Sequence, residues 1–220
     1  MFATEKDSLA WPAIVDDFSE AFVQSRSERA KDTPYLNILD IFGLRLDELS
    51  HSRILEWFLN ENGEHEQGEL FLKALANHVG LNATNFKGYH VQREKPDRVD
   101  VVVFKKDTFA IFIENKVRHT ERKEQMADLI DSIIKLGKAK GIPEKKRFAI
   151  FLTDDGRSPT TLRTNIPAGF IRKNLYSIDR VSLFCLFSTA LTQAPIKSTL
   201  LLEFLGNYIQ TIAHHPGTKI

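Results

Sequence analysis

The sequence predicts an α/β domain, a mixed four-stranded sheet flanked by helices. Three observations carry this expectation. Apolar residues recur at helical spacing up to Val79 and again after Glu121. Between Tyr89 and Glu114 the period drops to two, in segments rich in β-branched and aromatic residues. Residues 148–153 (Phe148-Ala149-Ile150-Phe151-Leu152-Thr153) form a continuous apolar run of strand length, which reads as a buried central strand.

Residues 11–30 carry Ile14, Phe18, Ala21 and Phe22 at helical spacing. A second helix is expected over 47–60, where Leu49, Ile54, Leu55, Phe58 and Leu59 form a stripe that Asn62-Gly63 stops. A third spans 68–79, with Leu70, Phe71, Ala74, Leu75 and Val79 as its apolar positions. Three strands follow at 89–94, 98–104 and 109–114, separated only by Lys95-Pro96-Asp97 and Lys105-Lys106-Asp107-Thr108, so a meander is expected. Residues 121–136 return to helical spacing through Met126, Leu129, Ile130, Ile133 and Ile134, and Gly137 is the expected stop. The apolar strand then ends in the turn Asp154-Asp155-Gly156. Helices over 180–192 and 197–212 close the chain. The expected organisation is one domain over 1–220: a helical segment over 1–36, a core over 37–213 and a frayed tail over 214–220.

Composition narrows the function classes. The chain is 42% hydrophobic with 11 Gly and 8 Pro, which excludes disordered, collagen-like and repeat-array chains. No apolar run approaches the roughly 18 to 20 residues of a membrane span. The start, Met1-Phe2-Ala3-Thr4-Glu5-Lys6-Asp7, is charged where a secretory signal would be basic and then apolar. The single cysteine, Cys185, lies in the apolar helical stretch Leu183-Phe184-Cys185-Leu186-Phe187 and is expected to be a buried, inert thiol in a cytoplasmic protein. The formal net charge of +1 hides an asymmetry: residues 1–86 carry 7 Lys and Arg against 15 Asp and Glu, and residues 87–220 carry 23 against 14. Such asymmetry is a weak pointer to nucleic acid. The chain has no Gly-x-x-x-x-Gly-Lys loop, His-Glu-x-x-His, Gly-x-Ser-x-Gly or cysteine cluster, so an NTPase, a zincin, an α/β-hydrolase and a zinc finger lack support.

The chemistry concentrates on the second and third strands. Alternation puts Asp100 on the face of Val102 and Phe104, and Glu114 on the face of Lys116. If the strands are neighbours, a carboxylate from each meets at one end of the sheet. Asp and Glu are depleted in strands, and a carboxylate ending the run Ala110-Ile111-Phe112-Ile113 is costly to bury unless it is paired or holds a metal. A divalent cation removes the repulsion between two such groups, and Mg²⁺ suits one or two carboxylates with water and substrate phosphate completing its shell. Lys116 beside them can hold or deprotonate the attacking water and neutralise charge in the transition state. This is equipment for phosphodiester hydrolysis. On spacing alone the plainer alternative stays open: solvated carboxylates, with Glu114 and Lys116 an exposed ion pair worth under about 1 kcal/mol.

Asp100 followed by Glu114-Asn115-Lys116, in a helix-strand-strand-strand-helix-strand order, resembles the PD-(D/E)XK nuclease superfamily, and within it a group of bacterial and phage proteins associated with defence. Further blocks carry the resemblance: Glu48-Leu49-Ser50-His51-Ser52 with Leu55, Trp57 and Leu59; residues 65–72; Arg93-Glu94 with Arg98-Val99-Asp100; Gln125 nine residues after the lysine; Phe151-Leu152-Thr153 with Gly156; and Asn207-Tyr208-Ile209. Departures are Met126 where the group has Leu, Leu129 where it has an aromatic, and the missing strand proline before Asp100. Pro96-Asp97 lies just upstream, but Asp97 would sit at a turn on the opposite face, which favours Asp100.

The resemblance implies a restriction-endonuclease-like core and a Mg²⁺- or Mn²⁺-dependent endonuclease acting on nucleic acid, DNA before RNA, in phage defence or DNA processing. It implies Asp100 and Glu114 as metal ligands, the carbonyl of Asn115 as a third, and Lys116 as the catalytic lysine. Glu48 would reach the metal directly or through water, or else form a helix-surface salt bridge. Gln125 would orient Lys116 or bind a phosphate, or be an ordinary polar helix position. His51 would support the site or simply pack on the sheet. Arg98 would bind phosphate or pair with Glu94 or Asp97, and Arg118, Arg122 and Lys123 would contribute to nucleic-acid binding. Residues 116–147 carry ten Lys and Arg against five acids, a solvated face that beside such a site doubles as a salt-sensitive track for a nucleic-acid backbone. Two other readings keep the same fold: a non-catalytic binding or inhibitory module, and one subunit of a larger defence complex or a homodimer. No membrane partner is expected.

Overall fold

The computed structural model describes residues 43, 47–82, 85–94, 99–117, 121, 124–162, 170, 173–194 and 198–213. The helix expected over 11–30 and the tail over 214–220 lie outside them. In chain order the elements are α1 (Glu48–Leu59), α2 (Leu70–His78), β1 (His90–Gln92), β2 (Val101–Lys105), β3 (Phe109–Asn115), α3 (Gln125–Ala139), a 3-10 turn (Glu144–Lys146), β4 (Arg147–Thr153), β5 (Leu175–Asp179), α4 (Arg180–Thr192) and α5 (Thr199–Ala213).

The sheet is mixed, in the order β1-β2-β3-β4-β5. β1, β2 and β3 form an antiparallel meander, as the sequence predicts, with a three-residue turn over 106–108 joining β2 to β3. The crossover through α3 makes β4 parallel to β3, and β5 is parallel to β4. Five strands stand where four are expected. The additional one, Leu175-Tyr176-Ser177-Ile178-Asp179, is a half-exposed edge strand that runs straight into α4, so it lacks the apolar run that marks β4.

Helices cover both faces. On one face α3 buries Met126, Leu129, Ile130 and Ile133 against Val102, Phe104, Ala110, Phe112, Ala149 and Phe151. α1 packs on β1, β2 and β3, and α4 packs on α2 and α5. Much of the chain's phenylalanine lies between these helices: Phe58 meets Phe71 edge-on at 4.9 Å between ring centroids and Phe184 at 5.7 Å, and Phe71 lies 5.2 Å from Phe187. Such tilted pairs add about 0.5–1.5 kcal/mol each to the burial of the rings. Cys185 is buried on α4, and burial, with Asp179 nearby, pushes its thiol up to about 12. Among the described residues no helix is long and apolar enough to cross a membrane.

Both boundaries of α3 differ from the sequence expectation. The helix starts at Gln125 rather than 121, because Glu124 stands at φ 63°. Glu121 instead clasps a following loop, accepting from Arg157 Nη1 at 2.5 Å and from the N–H groups of Thr160 and Thr161 at 3.0 and 3.1 Å. At the other end the helix runs through Gly137 to Ala139. Here glycine serves close approach: a methyl group at position 137 would overlap the Arg147 side chain, which donates from Nε and Nη2 to the Ile142 carbonyl at 2.9 and 2.5 Å.

Candidate active site

The candidate site lies at one end of the sheet, where β2 begins and β3 ends. The β2–β3 ladder pairs Val102 with Phe112 and Val101 with Ile113, so one further step faces Asp100 towards Glu114. At that step the Asn115 N–H donates to Asp100 Oδ2 at 2.7 Å. The parallel ladder with β4 continues one residue past β3, the Lys116 N–H donating to the Leu152 carbonyl at 2.8 Å. Alternation then separates two sets of side chains. Asp100, Glu114 and Lys116 fall on the face that α3 covers, and Asn115 turns towards α1.

On the α3 face, Lys116 Nζ lies 3.0 Å from Glu114 Oε1 and 3.6 Å from Glu48 Oε2. Gln125, the first residue of α3, donates its side-chain amide to the same Glu114 oxygen. Glu48 arrives from the first turn of α1, where Asp47 caps the helix by accepting from the Leu49 and Ser50 N–H groups at 3.3 and 3.1 Å. The other oxygen of Glu48 accepts from the Val117 N–H at 3.2 Å. On the α1 side, Asn115 Nδ2 donates to the Glu48 carbonyl at 3.2 Å and to Ser52 Oγ at 3.1 Å.

Burial sets the protonation of this group. Glu114 is 4% exposed, and burial, followed by the nearby Asp100 charge and opposed by Lys116, raises its pKa to about 8. Burial also raises Asp100, against the Asn115 N–H and Lys116, which hold it down. For Lys116 burial works against the charge, but Glu114, Glu48 and Asp100 outweigh it and the net direction is upward. Lys116 is therefore a cation at neutral pH, a hydrogen-bond donor and charge neutraliser.

Among the described residues no three His, Cys, Asp or Glu side chains form a cluster able to hold a metal ion. What stands there is a pair of adjacent buried carboxylates whose ionised forms are mutually disfavoured. That donor set fits a hard divalent cation that takes two carboxylates and completes its shell with backbone oxygen and water. The carboxylate of Glu48 is occupied by Lys116 and the Val117 N–H.

The structure thus brings together Asp100, Glu114, Asn115, Lys116, Glu48 and Gln125. Gln125 meets Glu114, where the sequence suggested Lys116 or a phosphate as its partner. His51 sits one turn into α1 and shares a hydrogen bond through Nδ1 with the hydroxyl of Tyr208, itself packed 4.4 Å from the Phe184 ring. Arg98, Arg118, Arg122 and Lys123, with the alternative Asp97, lie outside the described residues.

Sequence reasoning assigns no role to Arg180, Asp154 and Ser52. Arg180 is 1% exposed; its Nη1 pairs with Asp154, and its Nη2 donates to Asn115 Oδ1 at 2.7 Å and to the Lys116 carbonyl at 2.8 Å. A signal existed for it, since it is the one charged residue of the helix Arg180–Thr192. Ser52 closes the Glu-x-x-His-Ser block at the start of α1. Among known proteins, a family model described as the PD-(D/E)XK nuclease superfamily matches residues 36–201, about three quarters of the chain. No curated protein and no solved structure matches.

Proposed function

The chain belongs to the PD-(D/E)XK nuclease superfamily, and on that premise we propose that it is a Mg²⁺- or Mn²⁺-dependent endonuclease that hydrolyses phosphodiester bonds, in DNA before RNA. Phage defence or DNA processing in the cytoplasm is the setting this reading implies. The observation that carries it is the pair of buried carboxylates, Asp100 and Glu114, gathered with the cationic Lys116 at the end of β3.

In this reading Asp100 and Glu114 would hold the ion, with the Asn115 carbonyl as a third donor and Glu48 reaching it directly or through water. When bound, the ion supplies a water of lowered pKa and offsets charge on the phosphoryl oxygens. The chain's own residues do the rest. The Asn115 N–H fixes one oxygen of Asp100, and the Gln125 amide fixes one of Glu114. The Lys116 ammonium, kept charged by the surrounding carboxylates, holds the attacking water and neutralises the negative charge that builds as the new P–O bond forms and the ester P–O bond breaks. Glu114 and Glu48 keep that ammonium in place before substrate arrives. No covalent intermediate is formed.

Incubation of the purified protein with single- and double-stranded DNA and RNA in Mg²⁺ or Mn²⁺ tests the reading. Cleavage is expected, with Lys116→Ala slower by about 10² to 10³. Intact nucleic acid under every condition, with Lys116→Ala indistinguishable from wild type, would overturn it.

A further inference from the structure

We propose that Arg180 is a positioning residue for the Glu114-Asn115-Lys116 segment, holding metal ligand and lysine in register from the first residue of α4; the inference rests on the nuclease reading above. A guanidinium 1% exposed is costly to bury. Asp154 provides the counter-charge through Nη1, which leaves Nη2 to place two bonds, to Asn115 Oδ1 at 2.7 Å and to the Lys116 carbonyl at 2.8 Å. A planar guanidinium fixes both acceptors at once, which an ammonium does not.

The place of these bonds matters more than their number. Pairing of β3 with β2 stops at Ile113, and with β4 the last ladder contact is the Lys116 N–H. Beyond that point, among the described residues, two contacts hold the main chain of the segment, Arg180 through the Lys116 carbonyl and Glu48 through the Val117 N–H. Arg180 also completes the enclosure of Asn115, whose side chain is held by Ser52, the Glu48 carbonyl and Arg180 while its N–H holds Asp100. Loss of the fork leaves Asn115 Oδ1 and the Lys116 carbonyl without this donor, and leaves Glu48 as the remaining hold beyond the ladder, so the segment can turn more readily. Rotation there carries the Asn115 N–H off Asp100 and Lys116 Nζ off Glu114. Apolar pairs of similar volume often replace a buried ion pair with no loss of stability. A charged pair kept at this place is accounted for by the segment it holds.

Three variants separate positioning from mere stability: Arg180→Lys; Arg180→Gln combined with Asp154→Asn, which leaves no unpaired buried charge if the first fails to fold; and Asn174→Ala as a remote control. Asn174 donates to the Arg147 and Glu144 carbonyls at 2.6 and 3.3 Å, at the opposite end of β4. Each is measured for melting temperature, Mn²⁺ affinity by calorimetry, and kcat and KM beside wild type. All three are expected to lower the melting temperature. The Arg180 variants should also weaken Mn²⁺ binding by about tenfold or more and lower kcat with KM little changed, while Asn174→Ala keeps the wild-type Mn²⁺ affinity, kcat and KM. Folded Arg180 variants that bind Mn²⁺ and turn over as wild type, or an equal loss in Asn174→Ala, would overturn the assignment and leave the nuclease reading standing. Wild-type protein that neither binds Mn²⁺ nor cleaves would overturn both.

Discussion

Glu114 is the penultimate residue of a strand whose seven residues are all buried, and that burial governs its chemistry. With its pKa raised from 4.5 to about 8, the folded protein without metal keeps a proton on this carboxylate that the unfolded chain releases. The sign follows directly: the group stabilises the fold fully at low pH, and that contribution is lost as pH rises through the window up to about 8. A tenfold difference in acidity between the folded and unfolded chain corresponds to about 1.4 kcal/mol. Lowered pKa values at His65 and His78, each caused first by burial, act in the opposite sense below about 6.5, so the clean range lies above it. Denaturation of the metal-free protein at pH 6.5 and 8.5 should therefore show wild type losing stability across the interval and Glu114→Gln losing less. Parallel curves for the two proteins would contradict the raised value. Alternation along two strands is a local property, and it placed Asp100, Glu114 and Lys116 towards one end of the sheet while leaving solvated carboxylates open; the resemblance to a nuclease family is what singled them out. Arg180 joins them from 64 residues further on, by a contact that no local pattern encodes.

At the scale of elements, the start of α1 ties a helix terminus to the site. Asp47 caps the helix, Glu48 is its first residue, and both the carbonyl and the carboxylate of Glu48 serve the site, holding Asn115, Val117 and Lys116. Asp47→Ala removes the acceptors for the Leu49 and Ser50 N–H groups and should cost about 1 kcal/mol. For a chain of this size that is a fall of about 2–4 °C in melting temperature, measurable by calorimetry. An unchanged melting temperature would show that the cap contributes nothing. The start of this helix was legible to within a residue: the sequence expectation over 47–60 opens on Asp47, which caps the helix, because the apolar stripe that marks it is local. The start of α3 was not: Glu121 reads as the first polar position of an amphipathic helix, but its carboxylate is used by Thr160 and Thr161 about forty residues later. β5 escaped for a related reason. An edge strand covered on fewer sides needs fewer apolar residues, so its sequence does not differ from a loop.

At the scale of the whole molecule, the charge split acquires a structural address. The change of sign at residues 86–87 falls between α2 and β1, so the basic part of the chain contains all five strands and the residues of the candidate site except those on α1. A near-neutral total thus joins an acidic portion, which contributes α1 and α2, to a basic portion that carries Asp100, Glu114 and Lys116. The layered α/β architecture and the meander were readable because hydrophobic period reports which faces are covered. Strand number and the brace across the site depend on contacts between distant segments, which periodicity does not report. The central claim is that Asp100 and Glu114 together bind a divalent ion. Anomalous scattering from a crystal soaked in Mn²⁺ tests it most directly: the expected result is a peak bound by both carboxylates and absent from Asp100→Asn, whereas no peak there, in a protein that still cleaves nucleic acid, would contradict it.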